Sequence, residues 1–180
     1  MRRAVVDTNV LLVANGDHAD ISDDCVITCI EMIDRLVQNG VTVIDDEWRI
    51  LSEYQNKLNP NHGQPGPGDV FLKHLLRHQA NAKHVVGVSV TENGNDWFEE
   101  FPDLELQCDF DPPDRKFIAV AAADAENTPV LQAADCKWLN WWKPLSRTGV
   151  QFRFVCQNDV RRFYAQKFAD RTIPSFPPDE

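Results

Sequence analysis

The chain has 180 residues, of which 43% are apolar and 26% charged, and a formal net charge of −10. That length suffices for one domain with a full core, and the composition is ordinary for a globular protein. No stretch approaches the roughly 18–20 uninterrupted apolar residues of a membrane span, and the acidity argues against a broad electrostatic grip on nucleic acid.

In chain order, Ala4-Val5-Val6 is a short buried strand stopped by Asp7, and Val10-Leu11-Leu12-Val13 opens a helix beyond the polar Thr8-Asn9. Val26, Cys29, Ile30, Ile33 and Val37 recur at helical spacing between Asp23 and Gln38, and Asn39-Gly40 ends that run. Val41 to Ile44 is a second strand, and a helix marked by Trp48, Ile50, Leu51, Tyr54 and Leu58 carries Glu53. Residues 59–69, rich in proline and glycine, are expected to form a loop. A helix over Val70–Gln79 and a strand over Val85–Val90 follow. The acidic segment 92–111 is expected to be irregular, with a helical turn near Trp97–Phe101.

Pro112-Pro113 precedes an expected helix from Asp114 to about Ala125, and Val130-Leu131 starts a fourth strand ending near Asp135. A helix carrying Trp138, Leu139 and Trp142, a strand over Val150–Cys156 and a helix over Val160–Phe168 complete the pattern. Strands alternating with helices predict a single α/β domain over residues 1–171, with a central parallel sheet of about five strands and helices on both faces. Residues 172–180, with three prolines, are expected to be a flexible tail.

The five cysteines, Cys25, Cys29, Cys108, Cys136 and Cys156, are odd in number and lack framework spacing. Cys25 and Cys29 share a helical face, but no second Cys/His pair completes a zinc site, so they read as buried free thiols. No secretory signal is expected after Met1-Arg2-Arg3, because Asp7 cuts the apolar run. Both features suggest a cytoplasmic protein. Charge is uneven along the chain: residues 1–136 carry 10 Lys/Arg against 24 Asp/Glu, and residues 137–180 carry 8 against 4.

Ligands of open parallel sheets bind beyond the carboxyl ends of the strands. Asp7 and Asp135 stand where strands run out, Asp114 at a helix beginning and Glu53 on a helix. Converging carboxylates repel unless a cation neutralises them, and an all-oxygen set suits Mg²⁺ or Mn²⁺. Each acid also has a plainer reading. Asp7, Asp111 and Asp135 fit helix caps, Asp114 fits a first turn favoured by the macrodipole, and Glu53 fits a solvated face.

The order and context of these acids resemble the PIN-domain family. RRAVVDTNVLLVA, from Arg2 to Ala14, resembles its first motif, a hydrophobic strand ending in Asp-Thr-Asn. ILSEY, with Glu53, is similar to the acidic helix motif; DPPDRKFIAVA places Asp114 in the third acidic position and Phe117 in the packing position. VLQAADCKWL resembles the last motif, with Asp135 as its acid. Two positions depart from the family: Ala133 stands where Ser or Thr is often found, and Lys137 where a further acid often stands.

The resemblance implies a metal-dependent endoribonuclease in which Asp7, Glu53, Asp114 and Asp135 are catalytic and ligate Mg²⁺ or Mn²⁺. Thr8 and Asn9 would support them by hydrogen bonds. It also implies an RNA substrate, and for many members an antitoxin or a homodimeric partner; no membrane partner is expected. Lys143, Arg147, Arg153, Arg161 and Arg162 are candidates for a flank that tracks phosphates, against a reading as ordinary solvated surface. Trp138, Trp141 and Trp142 suit core packing first and an interface second. His74 and His78, four apart on a helix, have metal spacing but no supporting pattern, and His62 reads as loop surface. Competing functions are a scaffold without catalysis, motivated by Ala133 and Lys137, and a DNA nuclease or phosphohydrolase on the same acidic edge. Against a phosphatase, Asn9 stands where a second Asp is expected.

Overall fold

The structure, a computed structural model, describes residues 2–178. The strands are β1 (Arg3–Val6), β2 (Val41–Asp45), β3 (Val85–Val88), β4 (Val130–Gln132) and β5 (Phe152–Phe154). They form one sheet in the order β3-β2-β1-β4-β5, with every pairing parallel. The register sets Arg3 against Val41, Val5 against Val130 and Leu131 against Arg153. The helices are α1 (Thr8–Asn15), α2 (Asp23–Asn39), α3 (Arg49–Lys57), α4 (Pro67–His78), α5 (Leu104–Asp109), α6 (Arg115–Ala123), α7 (Trp142–Arg147) and α8 (Gln157–Lys167).

The chain grows the sheet outward from β1, first through β2 and β3, then on the other side through β4 and β5. Right-handed crossovers therefore place α1–α4 on one face and α5–α7 on the other. This explains why the central strands read as continuous apolar runs: Ala4, Val5, Val6, Val130 and Leu131 are fully buried between two helical layers. The α/β domain with a five-stranded parallel sheet is thus as the sequence predicts. No helix among the described residues is long and apolar enough to cross a membrane.

Several boundaries differ from expectation. Helix α4 begins at Pro67 rather than Val70, because proline suits the first helical turn. Asp69 accepts from Gly66 N at 2.9 Å and closes that end. No helix forms at Trp97–Phe101, only a single turn in which Phe101 N donates to Phe98 O at 3.3 Å. Gly94, Asn95 and Asp96 all adopt positive φ, and Glu92 bridges Phe98 in antiparallel fashion. A helix the periodicity did not predict, α5, forms instead, capped by Asp103 on Leu106 N at 3.0 Å. The tryptophan segment is a 3-10 turn over Cys136–Asn140 followed by α7, and Trp138 and Trp142 are buried. Strand β5 spans only Phe152–Phe154, and α6 ends at Ala123.

Two further differences concern the chain's fastenings. Cys25 and Cys156 are joined by a disulfide and Cys108 is free but exposed, so the expectation of buried free thiols holds only for Cys29 and Cys136. The spacing argument missed the bond because its partners lie 131 residues apart and meet only when α2 packs beside the start of α8. In the proline-rich tail, Ser175 O accepts from the Trp142 indole at 2.8 Å, and Phe176 packs edge-on to Phe154. The last two residues of that tail lie outside the described part.

Candidate metal centre

The loop after β1 brings Asp7 to the carboxyl edge of the sheet, and there it caps α1 by accepting from Asn9 N at 2.9 Å. The loop after β4 delivers Asp135 to the same edge, where it caps the 3-10 turn through Lys137 N at 3.0 Å. Both plainer readings are therefore real, and both carboxylates have a second face. Asn9 ties the two loops together, its Oδ1 accepting from Ala134 N at 3.1 Å.

Glu53 is positioned from β2. Asp45, at the strand's end, accepts from Arg49 N at 2.7 Å and Ile50 N at 2.9 Å, fixing the start of α3. One turn on, the Tyr54 hydroxyl donates to Val6 O, locking α3 against β1. Glu53 then receives the Thr8 hydroxyl and lies 2.5 Å from Lys116 Nζ. It is a half-buried, paired group rather than a solvated face.

Asp114 closes the 3-10 turn Pro112–Asp114, and neither Asp111 nor Asp114 makes a side-chain cap. The capping account therefore fails for Asp111, while Asp114 does sit in a first turn, as expected of an acid favoured by the macrodipole. Asp114 faces Asp135, and the nearby Trp138 side chain partly offsets the rise in its pKa. Carboxylate oxygens of Asp111, Asp114 and Asp135 lie within 4.8 Å of one another. Asp7 feels the charges of Asp114, Glu53 and Asp135, so the four predicted acids lie within electrostatic reach of one another, although the close carboxylate set is Asp111, Asp114 and Asp135.

The electrostatics show what such a gathering does. Burial, then Asp114, holds the Asp7 carboxyl well above the usual range. Burial and Asp135 push Asp114 up to about 6. Burial also raises Asp135, opposed by the hydrogen bond from Lys137 N and by Lys167. Two lysines offset part of the charge: Lys116 on Glu53, and Lys137 between Asp111 and Asp135, with Asp135 at 3.5 Å. Five carboxyl groups against the ammonium groups of Lys116, Lys137 and the nearby Lys167 leave the site short of positive charge. The donors are all oxygen, which fits a hard divalent cation such as Mg²⁺ or Mn²⁺.

Sequence reasoning missed Asp111 as a member of the site and Lys116 as a partner of Glu53. Lys137 was noted only as a departure from a motif. The spacing of Asp111 three residues before Asp114 was a usable signal. The contact between Lys116 and Glu53 was not, since it joins α6 to α3. A groove of about 390 Å³ beside Glu53 is lined by Arg49, Lys57, Lys116 and Asp96 among others. None of the five basic candidates, Lys143, Arg147, Arg153, Arg161 and Arg162, lines it. Arg162 is bound to Asp159 at 2.6 Å, and Arg161 lies over the Phe176 ring. Arg153 instead lines a larger cavity, about 1010 Å³, together with Arg2 and Arg3 at the opposite edge of the sheet.

No known protein family, curated protein or solved structure matches the chain.

Proposed function

We propose that the chain is a metal-dependent nuclease of the PIN type, acting on RNA. The observation that carries this reading is the only partly compensated carboxylate cluster at the carboxyl ends of β1 and β4. There burial and Asp114 hold Asp7 against ionisation, burial and Asp135 do the same to Asp114, and carboxylate oxygens of Asp111, Asp114 and Asp135 lie within 4.8 Å of one another.

Asp7, Asp114 and Asp135 are the residues to hold Mg²⁺ or Mn²⁺, with Glu53 completing the set. Such a cation supplies Lewis acidity toward a phosphodiester and toward water. Glu53, held by Thr8 and Lys116, presents a fixed carboxylate to orient the attacking water. Asn9 keeps the Asp7 and Asp135 loops in register. Lys57, Arg49 and Lys116 line the adjoining groove and suit a phosphate backbone better than the dispersed basic residues near the C-terminus. An antitoxin or a second copy of the chain remains part of the proposal only as a partner class suggested by the family resemblance, as does a cytoplasmic location.

A second reading rests on Lys137. Its ammonium sits against Asp111 and Asp135, where a second cation would otherwise be drawn, and this favours a scaffold without catalysis. Cleavage of labelled single-stranded RNA and DNA in Mn²⁺, Mg²⁺ and excess EDTA, by the native protein and Asp7→Asn, separates the readings. RNA cleavage that requires metal and falls by more than about a hundredfold in the variant supports the nuclease. Preferential DNA cleavage transfers the same site to a DNA nuclease. No cleavage of either polymer by folded protein favours the scaffold.

A further inference from the structure

Cys25 and Cys29 stand one turn apart on α2, and Cys156 immediately precedes α8. All three are buried, and their sulfur atoms lie within 4.8 Å of one another. Cys25 and Cys156 are bonded, and Cys29 Sγ lies 3.7 Å from Cys156 Sγ. A third sulfur so close to a disulfide has two chemical uses: it can exchange with the bond, or it can join the opened pair around a soft cation.

The surroundings decide between them. Exchange needs a thiolate, and burial together with Asp159 pushes the Cys29 thiol up to about 12. Asp159 is itself buried, taking hydrogen bonds from Ser22 at 2.5 Å and Arg162 at 2.6 Å, so the Arg162 guanidinium is engaged by the carboxylate rather than by the sulfur. A thiophilic metal ion needs no prior thiolate, because binding itself displaces the proton. The spacing also suits it. A tetrahedral site with metal–sulfur bonds of about 2.3 Å places its sulfurs ~3.8 Å apart, and the Cys29–Cys156 separation is already 3.7 Å.

We infer that Cys25, Cys29 and Cys156 form, in the reduced protein, a three-sulfur site for a soft d¹⁰ cation such as Zn²⁺ or Cu⁺. The disulfide is the closed state of that site. A phosphine supplies two electrons and becomes the phosphine oxide, water giving its oxygen and two protons, and the Cys25–Cys156 bond opens to two thiols; a dithiol does the same by supplying both electrons and protons and closing to its own disulfide. The cation then displaces thiol protons to solvent and binds the three sulfurs. Only the Cys25–Cys156 pair has to separate. The site lies at the first turn of α2 and the start of α8, just beneath the surface and independent of the carboxylate centre.

The test is titration of the full chain, carrying Cys108→Ser to remove the exposed thiol, with Cd²⁺ as spectroscopic probe. A phosphine-reduced sample is expected to develop a sulfur-to-cadmium ultraviolet charge-transfer band saturating at one ion per chain. The same protein with its disulfide intact should show none. Cys29→Ser leaves the bonded pair in place and should weaken the band by more than about tenfold after reduction. Cys25→Ser, which removes both the bond and a ligand, should do the same and serves if Cys29→Ser does not fold. Asp7→Asn should leave the band unchanged, which separates this site from the proposed nuclease centre. A reduced protein without the band, or a band that survives Cys29→Ser and Cys25→Ser undiminished, overturns the inference.

Discussion

Burial and the neighbouring Asp135 push Asp114 up to about 6, while a carboxyl of this kind in an unfolded chain titrates near ~3.9. Between those values the folded state binds more protons than the unfolded state. The group's contribution to stability is therefore full below about pH 4 and is lost as pH rises through about 6. Asp114→Asn removes that loss. In EDTA the variant should melt above the native protein at neutral pH, with the gap closing toward about pH 4; Mg²⁺ should stabilise the native protein alone. A gap independent of pH would place the effect elsewhere. His74 has the opposite sign. Burial, then His78 and His84, lower it, so its contribution is present above about pH 6.5 and is lost as pH falls below that value. Thermal melts between pH 7 and 5 should show a steeper loss for the native protein than for His74→Gln. Asp7 and Asp135 were legible as site residues because strand ends are visible in apolar runs. Asp111, Lys116 and Lys137 acquire their roles only through contacts between distant elements, which no local pattern records.

Helices α1 and α4 approach closely because Gly68 has no side chain: a Cβ there would come within 2.3 Å of Leu11 O. Asn15 Oδ1 accepts from Gly68 N at 2.7 Å across the same seam. Gly68→Ala should therefore destabilise by about 1–3 kcal/mol through overpacking, read as a fall in denaturant midpoint. In β4 the reverse holds. Gln132 is fully buried and its amide has no hydrogen-bond partner among the described residues. Leaving such a group unpaired costs about 1–3 kcal/mol, so Gln132→Met should stabilise the chain by an amount of that order. An unchanged or lower midpoint would mean the amide is satisfied by a bound molecule. At this scale the strands and long helices were readable from periodicity, and the errors fell at α4, α5 and the tryptophan segment. There proline in a first turn, one Asp cap and a 3-10 turn act over too few residues to produce a period.

The whole molecule is acidic, at −10, and the groove beside Glu53 offers nucleic acid three cations, Arg49, Lys57 and Lys116. Of the cations lining the groove beside Glu53, Arg49 is paired with Glu47 and Glu92, and Lys116 with Glu53. With at most three phosphate contacts from Arg49, Lys57 and Lys116, binding of single-stranded RNA should show a log–log salt slope no steeper than about −2. Lys57→Ala should flatten it by ~0.7. A slope several-fold steeper would point to a larger basic surface, such as the Arg2, Arg3 and Arg153 cavity. All of this depends on the carboxylate edge holding a cation, and calorimetric titration of Mn²⁺ into native protein and Asp114→Asn tests that directly. The account predicts saturable binding to the native chain, weakened more than about tenfold in the variant. Folded native protein that takes up no Mn²⁺, or a variant that binds it equally well, would contradict it.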